Sequence, residues 1–350
     1  MRCARVLSGR RLGRLLALST ALIVVVAPLT ATAGDGSASG SYEFESPLFG
    51  LAAKGGSLFV ADAGAGVVRL RDGNGRLIAE LPGVTDVAPI NHSSMYAVTG
   101  APDRKLYRIT DGVVSRVANL GAFEADANPD GGEIDSNPFD VAALPGGRAL
   151  VADAAANALL IVKADGTVDW VATLPERLAS TKNLKRLVGC PKPEPDWEFA
   201  CDLPDRIPAQ PVATSVAVGP DGAWYVGELK GFPAPRRSSR VWRIEPGTRH
   251  AECGSSPDCA IVVRGLTSIV DLNFARNGDL NVVEIDEDTW LAVELGLSTT
   301  GTVNACDVGT GDCEVVTHLP LPTAVASTRR HTYATVLSLV PGEADVIRIA

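Results

Sequence analysis

The 350-residue sequence predicts an all-β, six-bladed β-propeller whose last blade is closed by an N-terminal strand. Three observations predict it. A strand–turn–strand unit ending in an acid recurs along the chain, Asp-Gly turns follow it at hairpin spacing, and the last copy runs out of chain one strand short.

The first element is not part of that fold. Arg2, Arg5, Arg10, Arg11 and Arg14 precede an apolar run over 15–26, and Ala31-Thr32-Ala33 follows. A basic head, a short apolar run and an A-x-A site read as a secretory signal peptide over 1–33, cut after Ala33. The competing reading, a membrane anchor, needs about 20 apolar residues to cross the bilayer. Cys3 precedes the apolar run, so it is no lipid-bearing cysteine at the cut. Residues 34–350 are expected to form a single exported domain, a monomer with no membrane insertion.

Removing the five leader arginines leaves 27 Lys+Arg against 41 Asp+Glu, so a net charge of −9 becomes −14. An acidic surface repels phosphate backbones and anionic membranes. Nucleic acid is therefore excluded as a partner. Cations, cationic partners and neutral small molecules remain.

The repeat is LAAKGGSLFVAD at 51–62, VAALPGGRALVAD at 141–153, VAVGPDGAWYVGE at 216–228 and LNFARNGDLNVVE at 272–284. Degraded copies lie at 87–99 and 325–337. Third and fourth strands follow, joined by Asp72-Gly73, Asp111-Gly112 and Asp165-Gly166. Asp-Gly between alternating apolar runs is a strong hairpin signal. The last unit stops at its third strand, 346–349, while an orphan strand sits at 42–45. Pairing the two would close the ring and remove two exposed sheet edges.

Six cysteines remain after the leader, in local pairs: Cys190 with Cys201, Cys253 with Cys259, and Cys306 with Cys313. Six cysteines allow about 15 connectivities. Sequence proximity favours these three disulfides over a metal site, for which the spacings are wrong, and disulfides suit an exported chain.

Segments SNPFDVAALPGG at 136–147, ATSVAVGPDGAWYVGELKGFP at 213–233 and TSIVDLNF at 267–274 resemble the ScyD/ScyE family of exported bacterial propellers. More distantly the repeat resembles NHL-like and gluconolactonase-like propellers. The resemblance implies fold and export, and no assigned reaction or catalytic residue.

In such a blade the first-strand starts and second-strand ends share one face, here called the top. Four long insertions reach it, at 121–135, 175–210, 229–239 and 286–299, whereas the Cys253–Cys259 and Cys306–Cys313 loops are placed on the bottom. Long ordered loops are more often functional than idle, so the top is the candidate binding face for a small molecule, glycan or protein.

The aligned first-strand starts are Gly50, Asp86, Asp140, Ser215, Asp271 and Ala324. Asp86, Asp140, Ser215 and Asp271 are the candidate ligand-binding residues of an axial channel. Converging carboxylates at Asp86, Asp140 and Asp271 suit a hard cation, Ca2+ being the candidate cofactor, and a polar, water-filled channel is the competing reading. The second-strand ends Asp62, Asp153, Glu228 and Glu284 read as turn caps, with a cation role as the alternative.

His92, His250, His318 and His331 are all placed away from the acidic face, which argues against a Ser-His-Asp triad and a zinc site. Three readings follow: a non-catalytic binding scaffold, a Ca2+-dependent lactonase- or esterase-like hydrolase using the axial carboxylates, or an accessory protein of a secreted pathway with no ligand of its own. The scaffold reading, without enzymatic activity, is preferred.

Overall fold

The computed structural model describes residues 37–38, 40 and 42–350; the signal peptide expected over 1–33 lies outside the described residues. Six antiparallel sheets form the six blades.

Blade 1 is β1 (Leu48–Lys54), β2 (Ser57–Asp62), β3 (Gly66–Arg71) and β4 (Asn74–Glu80). Blade 2 is β5 (Val84–Pro89), β6 (Ser94–Thr99), β7 (Lys105–Thr110) and β8 (Val113–Asn119), followed by helix α1 (Leu120–Ala127). Blade 3 is β9 (Pro138–Leu144), β10 (Arg148–Asp153), β11 (Ala158–Val162) and β12 (Val168–Thr173). An insertion then carries β13 (Arg177–Ser180), α2 (Lys182–Leu187), α3 (Glu198–Cys201) and β14 (Arg206–Ala209), with β13 and β14 paired.

Blade 4 is β15 (Pro211–Val218), β16 (Trp224–Lys230), β17 (Ser239–Ile244) and β19 (Cys259–Leu266), with the short β18 (Ala251–Glu252) between the last two. Blade 5 is β20 (Ile269–Phe274), β21 (Leu280–Glu284), β22 (Thr300–Cys306) and β23 (Cys313–Pro320), with α4 (Trp290–Glu294) between β21 and β22. Blade 6 has three strands, β24 (Val325–Ser327), β25 (Thr332–Val336) and β26 (Asp345–Arg348).

The predicted hairpins form where expected. Asp72 and Gly73 have φ of 52° and 74°, and Asp111 and Gly112 have 50° and 84°. Positive φ at both central residues is what a two-residue turn needs to match strand twist. The three expected disulfides form, with Cα–Cα separations of 5.6 Å (Cys190–Cys201), 5.3 Å (Cys253–Cys259) and 4.1 Å (Cys306–Cys313). They fit an oxidising compartment. Among the described residues no helix is long and apolar enough to cross a membrane.

The first strands touch in cyclic order, β1 to β5, β9, β15, β20, β24 and back to β1, which makes the ring. The strand expected at 42–45 does not form. Asp62 holds the Glu45 N–H at 2.8 Å and Ser46 turns at φ 63°, which takes this stretch out of register with β26. Phe44 packs into the core between blades 1 and 6, with Leu48, Ala324 and Val346. Contact with the edge of β26 comes from further upstream, through a Ser37–Ile347 bridge and an Ala38 N–H to Val346 carbonyl bond of 2.7 Å.

Side chains at the axial ends of the first strands tie the blades together. Five first strands carry a β-bulge near their axial end, at Phe49, Thr85, Phe139, Thr214 and Val270. Thr85 donates to Pro138 O (3.1 Å), Thr214 to Ile269 O (2.7 Å) and Thr323 to Leu48 O, each reaching the next blade. The residue after the bulge does the reverse. Asp86 accepts from Val141 N (3.1 Å), Asp140 from Val216 N (2.6 Å) and Asp271 from Val325 N (2.7 Å). A bulge re-aims side chains out of the alternating pattern, here across the blade interface. Charge-assisted bonds to buried N–H groups are the stronger kind.

Between blades 1 and 2 the corresponding position is Gly50, and the reason is space. A Cβ there would lie 2.1 Å from Asp86 Oδ1 and 2.6 Å from Asp86 Cα. Gly50→Ala is expected to destabilise the protein by about 1–3 kcal/mol, the usual cost of overpacking. Urea unfolding of the two proteins measures it, and an unchanged midpoint refutes the assignment.

Candidate functional site

Asp86, Asp140 and Ser215 are buried and Asp271 nearly so. Burial, reinforced by the neighbouring Asp140 charge, pushes the Asp86 and Asp271 carboxyls well above the ordinary carboxylate range. Asp140 is raised by burial as well, and Asp86 and Asp140 lie within hydrogen-bonding reach, which calls for a proton between them. Ser215 Oγ faces the Cα of Gly227, where a Cβ would come within 2.2 Å of it, and it takes no hydrogen bond.

Asp86, Asp140 and Asp271 thus lie close enough to feel one another's charge, and Ser215 is buried beside Gly227. One oxygen of each aspartate, however, faces the backbone of the next blade. Ca2+ takes about 6–8 oxygen ligands. Each ring aspartate gives one oxygen to a neighbouring N–H, and among the described residues no three His, Cys, Asp or Glu side chains gather to hold a metal. The Asp86–Asp140–Asp271 arrangement fits a blade staple and does not fit a cation cage.

The second-strand ends behave as caps in three of four blades. Asp62 accepts from the N–H groups of Glu45 and Gly64, Asp153 from Asn137 and Ala156, and Glu284 from Thr267. Glu228 departs from this reading. It forms a buried ion pair with Lys230 and accepts from the Trp242 indole N–H at 2.7 Å, taking the only N–H that a large aromatic neighbour offers. His318 also departs from expectation: its Nε2 lies 3.9 Å from Glu287 of the top insertion, although both side chains are largely exposed.

A sizeable concavity lies off the axis. A cavity of about 840 Å3 is lined by the 129–137 loop, by Thr173–Arg177 and Gln210 of the insertion, by Val212 and Leu229 of blade 4, by Glu252–Ser255 and by Trp290 and Glu294 of α4. None of the four predicted channel residues lines it. Ala154, Leu174, Val212, Leu229 and Trp290 give it an apolar share of lining, and the insertion packs a core of its own beside it. Leu184, Leu187 and Ala200 pack with Phe232, Trp290, Leu291, Val212 and Phe139 over the blade tops.

The Cys253–Cys259 loop belongs to this cavity, contrary to its bottom-face placement from sequence. β18 pairs in parallel with β12 as a fifth strand of blade 3, and Cys253 N–H bonds to Thr173 O at 2.9 Å. This carries the loop to Pro175 and Arg177, against which Gly254 lies. A two-residue parallel strand leaves no period in the sequence, so nothing local announced it.

Behind the wall, Glu124 of α1 is 1% exposed, and neither carboxyl oxygen has a hydrogen-bond partner. Burial first, then Asp153, Asp130 and Asp135, pushes its pKa up to about 7. Burial alone does the same for Glu294, to about 7. Both groups bind protons more tightly folded than unfolded. Their stabilising contribution is thus full below the ordinary value of 4.5 and lost as pH rises to about 7. Unfolding free energy is expected to fall across that window. Glu124→Gln is expected to flatten the fall and to stabilise the protein at pH 8 by about 1–3 kcal/mol. Urea titrations at pH 5 and pH 8 test this, and an unaltered slope refutes it.

No protein-family model and no curated protein matches the chain. Solved structures do match in fold. A gluconolactonase from Xanthomonas campestris is 12% identical, with 88% of this chain and 87% of that chain covered and a TM-score of 0.54. The calcium-binding protein regucalcin from Agrobacterium tumefaciens is 12% identical, with 90% and 93% covered and a TM-score of 0.54. A PQQ-bound aldose sugar dehydrogenase from Streptomyces coelicolor is 12% identical, with 89% and 95% covered and a TM-score of 0.53. At this identity the likeness concerns the fold: this chain is a β-propeller of the same general build as these proteins.

Proposed function

We propose that the chain is an exported, non-catalytic binding propeller of the ScyD/ScyE type. In this reading residues 1–33 are its signal peptide, and a monomer holds a small molecule in the off-axis cavity of the top face. One observation carries the reading. Four loop segments far apart in sequence, including three of the four top insertions, converge on the walls of one cavity of about 840 Å3. Small-molecule sites are typically clefts of about 300–1,000 Å3 with an apolar lining and a few polar groups.

The walls are braced. Cys190–Cys201 ties α2 to α3 within the insertion, and Cys253–Cys259 pins the loop that β18 docks on blade 3. Rigid walls reduce the ordering cost of binding.

Ala155 lines the cavity and has room beside it, so Ala155→Trp would fill space with little effect on the blades. In a thermal-shift screen of metabolites and oligosaccharides, ligands that raise the melting temperature of the unaltered protein are expected to lose that effect in Ala155→Trp. Ligands that stabilise both proteins equally would place binding elsewhere and sink this reading. The hydrolase reading has its own arm: Ca2+ calorimetry in which binding is lost when Asp86, Asp140 and Asp271 are changed to Asn would favour it.

A further inference from the structure

The charge on the cavity walls is one-sided. Asp130, Glu133, Asp135, Glu176, Glu252 and Glu294 line it, against a single base, Arg177. Arg177 is held to the wall, its guanidinium 5.5 Å from the centroid of the Trp242 ring. Of the six acids only Asp135 is in an ion pair, with Arg104 at 3.1 Å. Asp153 and Glu124 add negative charge or acceptor oxygens behind the wall. Charge of one sign inside a concave, low-dielectric site raises the local concentration of the opposite sign.

The acids are spread around the walls. Among the described residues no three of them gather as metal ligands, so the field suits an extended organic molecule better than a point charge. Helix α4 supplies the remaining pieces. Trp290 and Glu294 stand four residues apart, hence on one face of the helix, and both line the cavity. The Trp290 indole N–H already donates to Lys230 O at 3.0 Å, so the ring can offer a ligand only its π surface. Glu294 has no hydrogen-bond or ion-pair partner among the described residues. An aromatic surface beside an unpartnered carboxyl, ionised above about pH 7, is an arrangement that recognises an organic cation.

We infer that the ligand of this cavity is a small organic cation, an ammonium or guanidinium group on an apolar body, with Trp290 and Glu294 as its anchors. The inference rests on the binding reading above and names the ligand class.

Calorimetry on the purified secreted chain tests it with choline, benzyltrimethylammonium, the neutral carbon isostere of choline (3,3-dimethyl-1-butanol) and an anionic control, benzoate. The cations are expected to bind at least about tenfold more tightly than the isostere. Glu294→Gln, which keeps size and fold, is expected to remove most of that preference while leaving the isostere unaffected. Cation and isostere binding alike, tighter binding of the isostere or benzoate, or full cation preference in Glu294→Gln each overturns the inference. In the first two cases the cavity stands as a binding site if Ala155→Trp abolishes the signal. Absence of binding by any probe, together with no hit in the metabolite screen, removes the binding reading itself.

Discussion

The ring of blades depends on side chains that cross from one first strand to the backbone of the next. A propeller sheet satisfies its own hydrogen bonds but leaves each blade free to slide against its neighbour. Here the bulge after each strand start aims one residue sideways. Thr85, Thr214 and Thr323 reach carbonyls of the following blade, and Asp86, Asp140 and Asp271 capture its N–H groups. Each such bond fixes the angle between two blades, and together they tie five of the six blade interfaces.

That solution has an electrostatic cost. Three carboxyls are brought out of water toward one axis, and burial raises all three above the carboxylate range. Replacing half the ring positions by Gly50, Ser215 and Ala324 limits the crowding, and Gly50 is open where Asp86 needs room. The same residues look like a cation cage in sequence and act as a staple in space, because the direction of their oxygens is decided by the bulge.

The 840 Å3 cavity lies among blades 3, 4 and 5, away from the axial aspartates. The insertion after blade 3 carries its own small core, closed by Leu184, Leu187 and Phe232 against Trp290 and Leu291, and roofs the blade tops. What it leaves open is a side cavity whose acids have little to neutralise them. The blade scaffold and the cavity are thus separate layers, one held by backbone ladders and staples, the other by apolar packing and disulfides.

The sequence by itself determined the repeat number, the hairpins and the disulfide pairs. All of these rest on local chemistry: period-two apolar strands, Asp-Gly turns with positive φ, and cysteines close along the chain. Tertiary structure alone decided three matters. It turned Asp86, Asp140 and Asp271 onto neighbouring backbone, it drew the Cys253 loop up to β12 through a two-residue parallel strand, and it moved last-blade pairing from 42–45 to Ser37 and Ala38. In each case the partner lies tens to hundreds of residues away, and no local period encodes the direction of a side chain or the edge on which a short strand docks.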